Sequence, residues 1–275
     1  MRLLPVDHHK EKVVGVELDC ASEVAATTVA MDNGFTATHA APPTIATPDF
    51  FGGRWTMTHT AVANQLMVVA STNEIFQFVQ GRPIRFICDL QPGLTAQTPE
   101  ELNLFAGCMN AFTTAPCVDA GAGPKATGDH FGFYTPEAGG AAFTAAEDNF
   151  WMARSQHNGT AMATVLDAAH SHDGQDHLAY DATSGDGIAH RLIAEFAPTN
   201  AVPGVGGVAA TIFDAEIRFE MDGVLVAKHL HRGTNQITIA STTLMQGGLA
   251  CLNTAAASIM NLDYMKCEQL RSRTW

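Results

Sequence analysis

The sequence predicts an all-β, antiparallel sandwich, and three observations carry that prediction. Short apolar/polar alternations recur from about residue 50 onward, Gly, Pro, Asn and Asp fill the gaps between them, and two alternating segments are joined directly by Asp222-Gly223. A period of two puts successive side chains on opposite faces of a strand, so the alternation marks a sheet with one buried face. Turn residues at short intervals mark the tight reversals of an antiparallel architecture. With 275 residues, 46% of them hydrophobic and only 16% charged, the chain has the length and composition for one full core.

Residues 20–48 (CASEVAATTVAMDNGFTATHAAPPTIATP) are rich in Ala, Thr and Pro, with Phe35 as the one aromatic. Small residues and the Pro42-Pro43 pair predict an extended arm over 1–48, either a poorly ordered leader or an arm that drapes over a neighbouring subunit, ahead of a sandwich domain over 49–275. In GRPIRFICDLQ, Ile84, Phe86, Cys88 and Leu90 share one face, and Arg85, Ile87 and Asp89 the other. Gln80-Gly81 separates this strand from NEIFQFV, where Phe76 and Phe78 share a face. Thr98-Pro99-Glu100-Glu101 reads as a helix N-cap with Pro and acidic residues in the first turn, predicting a turn or two ended by Gly107. Further strands are expected at 129–134, 149–156, 189–196, 235–240 and 258–267, with a loop at 197–211.

AEIRFEMDGVLVAKH (215–229) is the clearest local signal. Asp-Gly between two alternating strands calls for a two-residue turn with positive φ. A direct hairpin sets Met221 opposite Val224 and Phe219 opposite Val226, with Arg218 and Glu220 on the other face.

Lys plus Arg total 15 against 28 for Asp plus Glu, a formal charge of −13. Such a surface repels phosphate backbones and anionic membranes, so neither nucleic acid nor membrane is an expected partner. Protonating all twelve histidines would move the charge from −13 to −1, so copies are expected to associate as pH falls toward the pI of about 5.2. The opening MRLLPVDHHKEK is too short and polar for a secretory signal, and no apolar run approaches the roughly 20 residues of a membrane span. The chain is expected to fold in a cytoplasm and to leave the cell by lysis. Cys20, Cys88, Cys108, Cys117, Cys251 and Cys267 form no CxxC, and reduced structural thiols are expected.

Candidate chemistry is sparse. ELDCASE (17–23) resembles the laminarinase-type glycosidase signature, with Glu17, Asp19 and Glu23. Glu23 lies one residue too far along even for the bulged form, and the segment precedes the sandwich, so no catalytic residue is assigned. His157, His170, His172, His177 and His190 fall close together with Asp173, Asp176, Asp181 and Asp186, and His229-x-His231 adds a second pair. Imidazole and carboxylate are ordinary metal ligands, which makes His170, His172, Asp173, Asp176 and His177 the metal candidates. HSHDGQDH also reads as a polar, Gly-containing loop, in which His and Asp serve turns and solubility. No G-x-S-x-G elbow, P-loop or dinucleotide fingerprint occurs, and no cofactor is expected. Trp55, Trp151, Tyr134 and Tyr180 are the aromatics available for a sugar platform, with core packing the expected role of Trp151.

The order of the pieces resembles concanavalin-like phage virion structural proteins. GRPIRFICDL resembles their opening strand, GDHFGFY the next, NFWMARSQHNG the strand and turn after it, and AEIRFEMDGVLVAKH their Asp-Gly hairpin. NLDYMKCEQLR, with Asp263, Tyr264, Gln269 and Arg271, resembles the closing strand. The resemblance spans about residues 74–272. It implies a concanavalin-like (jelly-roll) sandwich and a capsid decoration, cement or minor capsid protein. Its expected partners are the major capsid protein and further copies of itself, on the capsid surface of a virion. The alternative from the same fold is a carbohydrate-binding or carbohydrate-cleaving module that meets host-surface glycans.

Overall fold

The computed structural model describes residues 13–19, 28–30, 34–39, 44–46, 54–60, 65–92, 102–110, 112, 128–135, 151–157, 160–165, 189–198, 212–238, 244–253 and 258–270. Among them are eighteen strands: β1 (Val13–Asp19), β2 (Thr28–Ala30), β3 (Phe35–His39), β4 (Thr44–Ala46), β5 (Trp55–His59), β6 (Leu66–Ser71), β7 (Ile84–Pro92), β8 (Leu102–Met109), β9 (His130–Thr135), β10 (Met152–His157), β11 (Thr160–Val165), β12 (His190–Pro198), β13 (Ile212–Phe213), β14 (Ala215–Met221), β15 (Val224–His231), β16 (Ile237–Thr238), β17 (Gln246–Asn253) and β18 (Ser258–Leu270). A single 3-10 turn, Gly233–Asn235, is the one helical element of the described residues, and no helix there is long and apolar enough to cross a membrane.

Two eight-stranded antiparallel sheets face each other. Sheet A runs β15-β14-β12-β7-β18-β5-β4, with β1 also on β18, and sheet B runs β11-β10-β9-β8-β17-β6-β3-β2. The two short strands β13 and β16 pair separately. The inner faces bury Phe86, Phe131, Phe133, Phe196, Phe219, Trp55 and Trp151 between the sheets. Most of the expected strands lie where alternation put them: along β7, Ile84, Phe86, Cys88 and Leu90 are buried and Arg85 is exposed. The exception is 235–240, where, of the described residues 235–238, Ile237–Thr238 form the strand, following the 3-10 turn. Phe76 and Phe78 are both buried, as their shared face requires, but outside a regular strand. Gln269 holds that segment instead: Nε2 donates to the carbonyl oxygen of Gln77 and Oε1 accepts the Gln77 N–H at 3.2 Å.

Three expectations need correction. First, the described parts of 1–48, Gly34 apart, are strands and not a separate arm: β1 and β4 belong to sheet A, β2 and β3 to sheet B. Leu18, Phe35, Ala37 and Ile45 are buried in the common core. The alternation was present in FTATH, with Phe35 and Ala37 inward and Thr36 and Thr38 outward, but Ala and Thr differ too little in hydropathy to announce it. The Pro42-Pro43 pair lies outside the described residues.

Second, the helix expected from Thr98 to Gly107 gives way to β8, while Thr98–Glu101 lie outside the described residues. Leu104 through Met109 are all buried, because sheet A covers one face of β8 and a second apolar cluster, with Phe105, Phe112, Tyr134 and Met152, lies on the other. A strand buried on both faces loses its alternation and reads like a buried helix.

Third, the hairpin is present but bulged. Asp222 (φ 53°) and Gly223 (φ 83°) make the turn and Met221 faces Val224, yet the register slips between Phe219 and Glu220, so that Phe219 pairs with Ala227. Val226 is the extra residue, and both it and Ala227 are buried. A Cβ on Gly223 meets nothing within 4 Å, so Gly223→Val tests backbone conformation alone. It should cost about 1–2 kcal/mol. The expected result is a lower urea midpoint at unchanged slope, and an unchanged midpoint would contradict the positive-φ turn.

Candidate functional site

A shallow pocket of about 270 Å³ opens on sheet A beside the β14–β15 turn. β7 supplies Asp89 and Gln91, β12 supplies His190 and Arg191, β18 supplies Asn261 and Asp263, the turn supplies Asp222, and Arg54 precedes β5. Alternation puts Asp89 and Gln91 outward because Cys88 and Leu90 fill the core. Asp263 is exposed for another reason. Leu262 pairs with Leu90 and Tyr264 with Asp89, so Asp263 is the unpaired residue of a bulge, which turns its side chain outward.

The polar groups are tied together. The Arg191 guanidinium donates to Asp89 through Nε (2.7 Å) and Nη2 (2.5 Å), a bidentate pair that holds its pKa above the usual arginine value. Asp222 Oδ1 accepts the Arg191 backbone N–H at 2.8 Å, and Oδ2 lies 2.8 Å from His190 Nδ1. His190 itself is buried, edge-on to Trp151. Asn261 accepts from Thr56 Oγ1 at 2.9 Å and donates to Gln91 Oε1 at 3.3 Å. Asp89 and Asp222 are thus acceptors in fixed hydrogen bonds. The pocket offers pre-set donors and acceptors, the chemistry that reads a hydroxyl-rich ligand.

A second polar cluster is sealed between the sheets at the β10/β15 edge. Ser155 Oγ lies 2.9 Å from His229 Nδ1 and 2.9 Å from His231 Nε2, and all three residues are buried. His157 Nδ1 lies 3.0 Å from Asp129 Oδ1, and its Nε2 accepts the Thr238 N–H at 2.8 Å. Burial pushes the His229 pKa down to about 4, helped by the neighbouring His231, which burial lowers as well. A serine between two neutral imidazoles resembles an activated nucleophile in composition, but the carboxylate here faces His157 and not the two histidines on Ser155.

No family model matches the chain, and no curated protein sequence matches it. Solved structures do. A protein of unknown function from Shewanella oneidensis superposes with TM-score 0.51 at 10% identity, over 95% of this chain and 90% of that one. Arcelin-5, a lectin-like defence protein of Phaseolus vulgaris, superposes with TM-score 0.51 at 8% identity, over 94% of this chain and 99% of that one. The fold is a concanavalin-like, lectin-type β-sandwich. A carbohydrate-binding module from the evolved Dit of Lactobacillus casei phage J-1 is more distant, with TM-score 0.47 at 11% identity, over 97% of this chain and 100% of that one.

On this lectin-type sandwich the residues singled out from sequence scatter. His170, His172, Asp173, Asp176 and His177 lie outside the described residues, as do Asp181, Asp186 and Tyr180. Among the described residues no group of three or more His, Cys, Asp or Glu is placed to hold a metal ion. Glu17 is exposed on β1 at the flank of β18, where Tyr264 hydrogen-bonds to it, and Glu23 lies outside the described residues. Burial and that contact raise the Tyr264 pKa to about 12. Trp55, Trp151 and Tyr134 are fully buried and make no sugar platform. The pocket residues Arg54, Gln91, Arg191 and Asn261 escaped the sequence reading. The signal of Gln91, Arg191 and Asn261 was an outward polar position on a strand, which most surface residues share, and Arg54 lies just before β5.

Proposed function

We propose that the chain is a structural protein of a tailed-phage virion, a capsid decoration, cement or minor capsid component without enzymatic activity. It acts at the capsid surface, through contacts with the major capsid protein and with its own copies. One observation carries the reading: the residues of the ordered virion-protein motifs hold fold-making positions. Phe86, Phe131 and Phe133 fill the core, Asp222-Gly223 makes the positive-φ turn, and Gln269 anchors residues 77 and 82. The Ser155/His229/His231 cluster, the nearest thing to catalytic machinery among the described residues, is sealed in the interior and serves packing. Quantitative mass spectrometry of purified virions should find the chain in many copies, and capsids lacking it should take it up when it is added back. Its absence from purified virions would sink the proposal.

The pocket on sheet A favours a second reading, recognition of a glycan by a virion-borne module. The wild-type chain would then bind on a glycan array and Arg191→Ala would bind at least about tenfold more weakly, since losing the guanidinium also frees Asp89. No hydrolysis of bound glycan is expected between about pH 4 and pH 8. An array without binders would leave the capsid role alone, and hydrolysis would overturn the non-enzymatic reading.

A further inference from the structure

Two of the four described cysteines meet across the core. Cys108 of β8, in sheet B, and Cys267 of β18, in sheet A, bring their sulfurs to 3.3 Å, and both are fully buried free thiols. Sulfur–sulfur contact between opposed sheets needs room beside it, and a neighbouring residue provides it. Gly247 pairs with Cys108 on β17, and a Cβ there would lie 2.4 Å from Cys267 Cβ and 2.7 Å from its sulfur. The glycine thus lets Cys267 lean onto sheet B beside Cys108. Cys251, by contrast, has its sulfur 4.0 Å from the His59 ring.

We propose that Cys108 and Cys267 are the site of an inter-sheet disulfide, formed when the folded protein meets a small oxidant outside the reducing cell. A disulfide holds its sulfurs at about 2.05 Å, so closure asks the pair to approach by roughly 1.3 Å. With a hydroperoxide as the oxidant, one thiol is oxidised to a sulfenic acid as the O–O bond breaks and the first water leaves. The second sulfur then attacks the sulfenic sulfur, an S–S bond forms, and the sulfenic oxygen departs as a second water carrying the remaining thiol proton. Two thiols and one hydrogen peroxide give one disulfide and two waters. Burial and the neighbouring thiol push the Cys267 pKa well above the usual thiol range, so little thiolate is present and the closure is slow. The bond would join residues 159 apart and tie the centre of one sheet to the centre of the other. It does not depend on whether the partner is a capsid or a glycan.

The test uses the full chain, purified reduced and incubated natively with hydrogen peroxide, then alkylated and digested without reduction. A peptide pair linked through Cys108 and Cys267 is expected. The melting temperature should rise by about 5–10 °C on oxidation and fall back with dithiothreitol. In Cys108→Ala and in Cys267→Ala the rise should vanish. If either variant fails to fold, the peptide map of the wild-type chain decides alone. Recovery of both cysteines alkylated, or a link from either of them to another cysteine, would overturn the proposal.

Discussion

Lowering the pH from 7 to 5 should destabilise the fold by several kcal/mol, through histidines that the structure keeps neutral. Burial lowers His59 to about 4 and His229 to about 4, and burial with the nearby Arg154 lowers His130 to about 3. His130 is the extreme case: both ring nitrogens are buried without a hydrogen-bond partner among the described residues, and the ring stands edge-on to Phe105. The unfolded chain takes up these protons near pH 6.5 while the folded one refuses them. Stability is therefore complete above about pH 6.5 and falls as pH drops toward the folded values. At pH 5 each of the three groups costs up to about 2 kcal/mol, together a large part of the 5–15 kcal/mol that ordinary domains possess. Urea midpoints followed by tryptophan fluorescence should drop steadily below pH 6.5. His130→Phe should flatten the drop, because a phenyl ring has no proton to gain in the unfolded chain. Equal midpoints at pH 7 and pH 5 would contradict the buried neutral state. The expected shift of surface charge from −13 to −1 is revised by the same residues, since the folded chain keeps at least these three histidines uncharged well below pH 6.

Gly107→Ala should be among the most damaging single substitutions in the chain. Gly107 and Gly132 face each other on the central strands β8 and β9. A Cβ on Gly107 would lie 2.2 Å from the Phe131 carbonyl oxygen, and one on Gly132 would lie 2.4 Å from that of Ala106. Those obstacles are backbone atoms, which cannot rotate aside, so the sheet itself must shift. A loss of about 3 kcal/mol or more is expected, a fall of roughly 10 °C in melting temperature. Gly81→Ala is the control, because Gly81 has a positive φ but open space around its Cβ, and it should cost only about 1 kcal/mol. If the two substitutions lowered the melting temperature equally, the close backbone approach would not be the reason for Gly107.

The contrast between sheets explains what the sequence could announce. β7, β14 and β15 have one face toward the core and one toward water, so IRFICDL and AEIRFEM alternate visibly. β6, β8 and β17 are buried at nearly every position whose side chain is described, and LMVVAS, LNLFAGCM and QGGLACLN carry no period. The pocket was harder still. It gathers Arg54, Asp89, Arg191, Asp222 and Asn261 from five separate stretches of chain, and their proximity follows from sheet order alone. Asp89, Asp222, His190 and Asp263 stood out beforehand, but as a strand, a turn, a histidine cluster and a closing strand, with no local sign that they meet.

The placement of β18 has a consequence for how the protein is made. β18 emerges from the ribosome after every other described strand, yet it lies inside sheet A, paired along one side with β7 and along the other with β5 and β1. Val13 waits for Leu270. At roughly 10 residues per second, about 25 seconds pass between the two, during which the edges of β1, β5 and β7 that β18 later covers stay open. Sheet B has its own late member, since β17 joins β8 to β6 only shortly before. Both layers therefore close late, each through a strand near the end of the described residues.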